Sequence, residues 1–84
     1  MTRQELSTWL ESKNYHKDKF GHYQKTVNDK VYRYKLQATS TRFESQITVP
    51  NYDGKPVHEW YRIRSAYYKD LSITPEGKLK GLKV

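Results

Sequence analysis

The alternation of apolar and polar residues divides the chain into a helical start and an extended remainder. Leu6, Trp9 and Leu10 recur at the spacing of one helical face. Thr2-Arg3-Gln4-Glu5 just ahead of them has the spacing of a capping box, in which the Thr hydroxyl and the Glu carboxylate each serve a free backbone N–H. This predicts a helix over residues 3–13, ending near Asn14, with Lys13 placed in the last turn where the helix dipole favours a cation. Between residues 14 and 30 the periodicity fades and Gly21 breaks what remains. His22 to Val27 reads as a short strand and Asn28-Asp29-Lys30 as a turn.

From residue 31 the period is two. Tyr32, Tyr34, Leu36 and Ala38 alternate with Val31, Arg33, Lys35, Gln37 and Thr39. After Ser40-Thr41 the alternation resumes, with Phe43, Ser45, Ile47 and Val49 set against Arg42, Glu44, Gln46 and Thr48. Two such runs with a short polar link predict a β-hairpin. Residues 50–56, with Asp53-Gly54 inside, read as a loop, and residues 57–68 as a third long strand. Leu71-Ser72-Ile73 and Lys78-Leu79-Lys80 suggest a small terminal hairpin, with Gly81 as a bulge and the last few residues frayed. The expected fold is α+β: one small domain, residues 1–84, with one N-terminal helix packed on a three- to five-stranded antiparallel meander sheet. Leu6, Trp9 and Leu10 are expected to meet Tyr34, Leu36, Phe43, Ile47, Tyr61 and Ile63.

Composition narrows the function classes. The 84 residues are 35% hydrophobic with a mean hydropathy of −1.08, sparse enough that eight tyrosines and two tryptophans must supply part of the core. No apolar run approaches a bilayer span and no apolar leader is evident, which points to a cytoplasmic protein. There is no cysteine, hence no disulfide or thiol chemistry. Net charge is +7, and residues 13–42 carry a net +6 of it. A field concentrated in this way attracts polyanions.

The outward side of the strands carries the candidate chemistry. In residues 57–68, Val57, Glu59, Tyr61, Ile63, Ser65 and Tyr67 form one alternating set, and His58, Trp60, Arg62, Arg64, Ala66 and Tyr68 the other. The first holds the aliphatic residues and is expected inside. The second then lies outward beside Arg33, Lys35 and Arg42. The expected nucleic-acid-binding residues are therefore Arg33, Lys35, Arg42, His58, Trp60, Arg62, Arg64 and Tyr68. Cations hold phosphates while exposed rings stack on unpaired bases, so single-stranded RNA or DNA is favoured over duplex. The same Tyr, Trp and Arg surface suits an acidic protein partner, which makes a small interaction or inhibitor module the alternative.

No catalytic or cofactor motif stands out. His16 and His22 match no zinc spacing, and the isolated glycines form no phosphate-cradling loop, so no metal and no cofactor is expected. One enzymatic class stays open. Over nine residues, Trp60-Tyr61-Arg62-Ile63-Arg64-Ser65-Ala66-Tyr67-Tyr68 resembles the arginine strand of RelE-type toxin ribonucleases, although this chain lacks a pair of helices before its sheet. The resemblance implies metal-independent RNA cleavage, with His58, Arg62, Arg64 and Tyr68 as its first candidates.

Overall fold

The structure, a computed structural model, describes residues 1–50 and 53–84. Helix α1 spans Arg3–Ser12. Its start is the expected box: the Glu5 amide donates to the Thr2 hydroxyl at 3.1 Å, and the Thr2 amide donates to the Glu5 carboxylate at 2.9 Å. Asn14, at φ 68°, turns the chain out of the helix. Lys13 is the C-cap residue and not, as expected, a member of the last turn.

Five strands follow: β1 (His16–Lys17), β2 (Tyr23–Val27), β3 (Lys30–Leu36), β4 (Ser40–Pro50) and β5 (Pro56–Tyr67). They form an antiparallel sheet in chain order, as a meander with short links must. The expected turn after β2 is a two-residue one. Asn28 and Asp29 sit at φ 51° and 67° between the paired Val27 and Lys30, the conformation that Asn and Asp tolerate best after glycine. A 3-10 turn at Tyr68–Asp70 leads into a small hairpin of β6 (Ser72–Ile73) and β7 (Leu79–Lys80). Gly81 is set by a close approach and not by the expected bulge: at φ 113°, a Cβ there would lie 2.1 Å from the Asp70 carbonyl oxygen. The expected loop at 50–56 falls partly on residues 51–52, outside the described residues.

The core lies between α1 and one face of the sheet. Leu6 and Leu10 are fully buried against Tyr23, Tyr34, Leu36, Tyr68 and Leu71, with Trp9, Phe43 and Ala66 packed at the margin. Aromatic burial compensates for scarce aliphatics. Tyr34 meets Phe43 at 4.8 Å, Tyr15 at 5.4 Å and Trp9 at 6.4 Å between ring centroids, the last two edge-on. The polar tips find partners: Trp9 Nε1 donates to the Gly77 carbonyl at 2.9 Å, and Tyr23 shares a hydrogen bond with the Ser7 hydroxyl. Trp9 thereby ties the helix to the terminal hairpin.

Two expected core residues lie beyond the helix. Pairing of β3 with β4 stops at Ser45, while β4 and β5 continue to Pro50 and Pro56. Residues 46–50 and 56–60 therefore project as a two-stranded arm. The described chain is 47 Å long with a radius of gyration of 14.0 Å, against about 12 Å for a compact chain of this length. Ile47 and Tyr61 stand on the helix side, but 40% and 60% exposed, with no helix over them.

Candidate nucleic-acid interface

Residues paired directly across antiparallel strands share a face, so the register assigns each candidate a side. On the face away from α1, one row crosses four strands as Gln24, Arg33, Glu44 and Arg62. The next row is Lys35, Arg42, Ser65 and Lys83, the last paired to the outer edge of β5. In the other direction come Gln46 with Trp60, then Thr48 with His58. The intervening residues Tyr34, Leu36 and Thr41 are buried under the helix, which fixes the side. Arg33, Lys35, Arg42, His58, Trp60 and Arg62 are thus brought together on the helix-free face, as expected from the sequence.

Arg64 and Tyr68 are not. A β-bulge in β5 shifts the register, so Arg62 faces Glu44 while Arg64 faces Phe43. One extra residue, Ile63, lies between the two pairings and puts the two guanidinium groups on opposite sides of the sheet. Arg64 joins the helix side, close enough to Tyr34 to act on its ionisation. Ile63 itself occupies the bulge and is not a regular core position. Tyr68 follows the same shifted phase into the core, where it is 7% exposed and donates to the Gln37 carbonyl at 2.6 Å. The shift also separates the four residues suggested by the toxin-like strand. His58 and Arg62 stand on one face, Arg64 on the other, and Tyr68 is buried.

Within the retained set the cations differ. Arg33 Nε donates to Glu44 Oε1 at 2.7 Å, with side chains only 14% and 8% exposed. The same guanidinium lies 3.9 Å from the centroid of the Trp60 ring and covers one indole face. Arg33 is therefore neutralised and structural. Lys35 and Arg42, by contrast, oppose each other directly as like charges, and neither forms an ion pair among the described residues. Such a pair destabilises a sheet unless an anion lies across it.

The margin beside β2 is more tightly specified. Asp18 accepts from the amides of Phe20 and His22 and from Gln24 Nε2, at 2.8, 2.9 and 3.0 Å. Burial pushes its carboxyl up, but these three bonds outweigh it and hold the pKa below the usual range. His22 lies beside it, 3.9 Å from Asp18 Oδ2. Burial lowers its pKa, Asp18 pulls it up, and the positive charge of Arg33 and Lys35 pushes it down again.

Ser65, Tyr67 and Lys83 also lie on this face, outside the set expected from the sequence. With Ser40, Arg42 and Arg62 they line a hollow of about 360 Å³ on the same face. Tyr67 is 58% exposed and takes the outward position assigned to Tyr68. A signal existed, since adjacent tyrosines in a strand always leave one ring on each side. Among the described residues no group of His, Asp or Glu could hold a metal ion, and no helix is long and apolar enough to cross a membrane. No protein-family model, no curated protein and no solved structure matches the chain.

Proposed function

We infer that this is a non-enzymatic nucleic-acid-binding accessory protein whose helix-free sheet face receives a single strand. The observation that carries this reading is the opposition of Lys35 and Arg42 beside Arg62, outside any ion pair among the described residues, on a face whose described strand residues offer one carboxylate, Glu44, already held by Arg33. Phosphates laid across that row relieve the repulsion and release counterions. Trp60, with one indole face under Arg33, and the exposed Tyr67 supply stacking surfaces at either end of the cations. Base stacking favours single-stranded RNA or DNA, since a duplex keeps its bases in its own stack.

Titration of labelled single-stranded RNA, single-stranded DNA and duplex DNA at several salt concentrations tests the reading. Lys35, Arg42 and Arg62, none of them in an ion pair among the described residues, predict a slope of log affinity on log salt of about −2 for single strands. Absence of binding at low salt, or binding indifferent to salt, refutes it. One observation favours the alternative of a protein-interaction module: the arm leaves Ile47 and Tyr61 40% and 60% exposed. That alternative predicts a stoichiometric protein retained after nuclease treatment and lost in Ile47→Asp.

A further inference from the structure

The hollow beside Tyr67 differs from the rest of the cationic face in three ways. It has a bonded edge: the Ser65 amide donates to the Lys83 carbonyl at 2.8 Å, and the Lys83 amide donates to the Ser65 carbonyl at 2.9 Å. These two bonds pin the segment around Lys83 along the outer edge of β5. They bring Lys83 into the lining of the hollow, a cation that the five-stranded sheet does not itself supply. It has a charge excess: Arg42, Arg62 and Lys83 are set against the single side-chain carboxylate of Asp70. It also has a ring, since Tyr67 stands outward opposite Ser40, with the Lys69 ammonium 5.7 Å from its centroid.

A phosphodiester within a strand carries one negative charge and needs an opening at both ends. A phosphate monoester carries about −1.5 to −2 at neutral pH and terminates the strand, so it suits a hollow lined by three cationic side chains and one carboxylate side chain. The volume, about 360 Å³, lies at the small end of ligand pockets and is on the scale of one nucleotide. Arg42 and Arg62 come from neighbouring strands and can each offer a fork of N–H donors to phosphate oxygens.

We propose that this hollow is a subsite for a phosphorylated strand end, with the terminal phosphate held among Arg42, Arg62 and Lys83 and the terminal base stacked on Tyr67. The inference rests on the reading of the helix-free face as a nucleic-acid surface and gives that face an end preference. From Tyr67 the bound strand runs along β5 over Arg62 to Trp60, a distance of roughly 20 Å at strand rise.

The test compares internally labelled ten-residue oligothymidylates carrying a 5′-phosphate, a 3′-phosphate or hydroxyls at both ends, by fluorescence anisotropy at low salt and pH 7.5. One phosphorylated end is expected to bind about tenfold tighter than the hydroxyl-ended strand. Lys83→Gln is expected to abolish that gain while leaving hydroxyl-ended affinity within about threefold; Tyr67→Ala is expected to abolish it as well and, because Tyr67 is also a stacking surface of the strand-binding face, to weaken the hydroxyl-ended strand too. Lys35→Gln is expected to weaken all three strands alike. Equal affinity for the three ends, with salt-dependent binding intact, overturns the subsite and leaves the face as a strand-binding surface. A gain that survives both Tyr67→Ala and Lys83→Gln overturns its location. If no strand binds, thymidine 5′- and 3′-monophosphates are titrated and the amide resonances of residues 65, 67 and 83 followed. Shifts there uphold the subsite and refute the strand-binding reading, while their absence refutes both.

Discussion

Glu44 sits where stability and binding make opposite demands, and Glu44→Gln separates them. The carboxylate is 8% exposed, accepts from Arg33 at 2.7 Å and lies in the same row as Arg62. Removing one member of a pair this buried leaves the other charge uncompensated, at a cost of about 3–5 kcal/mol. The amide still accepts the Arg33 hydrogen bond, so the lower figure applies, about 3 kcal/mol. For a domain of this size that lowers the melting temperature by about 12–24 °C. Binding should move the other way. The substitution deletes the negative charge from the face and frees Arg33 for a phosphate, so affinity for a single strand should rise and the salt slope steepen by about 0.7. The assay is urea denaturation for stability, paired with anisotropy titrations at a temperature where circular dichroism shows the variant folded. If Glu44→Gln costs no stability, the Arg33–Glu44 pair does not carry what its burial implies. If the folded variant binds no more tightly than the parent, the polyanion does not dock on this face.

Three further outcomes follow from the same geometry. Arg62→Gln should reduce the salt slope by about 0.7 while Arg64→Gln leaves binding unchanged, because the bulge puts them on opposite faces; equal losses would refute the observed register. Tyr68→Phe should lower stability by about 1 kcal/mol in urea denaturation, by stranding the Gln37 carbonyl, with strand affinity unaltered. Burial, opposed by Asp18 and Glu44 and reinforced by Arg33 and Lys35, keeps the folded-state pKa of His22 below its unfolded value near 6.5. The unfolded chain then binds the proton first, so the His22 contribution is complete above pH 6.5 and lost as pH falls from there through the folded pKa. Urea midpoints between pH 7.5 and 5 should fall for the parent and flatten in His22→Gln. The Asp18 carboxyl, its pKa also lowered, stays charged across that window, and its contribution is lost at lower pH.

Much of the fold is local enough to read from the chain. The reciprocal Thr2–Glu5 box and the spacing of Leu6, Trp9 and Leu10 fix α1 without reference to anything distant. The alternation from Tyr32 to Val49 fixes the hairpin of β3 and β4, and Asn28-Asp29 marks the turn before it because both residues accept positive φ. Strand β1 escapes such a reading because two exposed residues carry no periodicity. The arm escapes it for a different reason. Ile47 and Tyr61 have the chemistry of core residues, but whether a helix lies over them depends on where β3 stops, which the alternation within β4 does not record.

The bulge is the instructive case, because a period of two has only two phases and one inserted residue exchanges them. Read as an unbroken strand, residues 57–68 put Trp60, Arg62, Arg64 and Tyr68 on one side. That phase is right up to Arg62 and inverted beyond Ile63. Nothing in Arg62-Ile63-Arg64 announces the change, since a bulge of this kind needs no glycine or proline. The core does explain it. With the phase unbroken, Ser65 and Tyr67 would turn inward, and Ala66 and Tyr68 would be lost from the packing around Leu36 and Leu71. The inversion gives the core a small residue and a hydrogen-bonded tyrosine, and turns Ser65 and Tyr67 out beside Arg42. The residue that removes Arg64 and Tyr68 from the helix-free face is thus the same one that creates the hollow there. Any substitution read on this face therefore reports on β5 in two halves, with the phase set by Glu44 before Ile63 and by Phe43 after it.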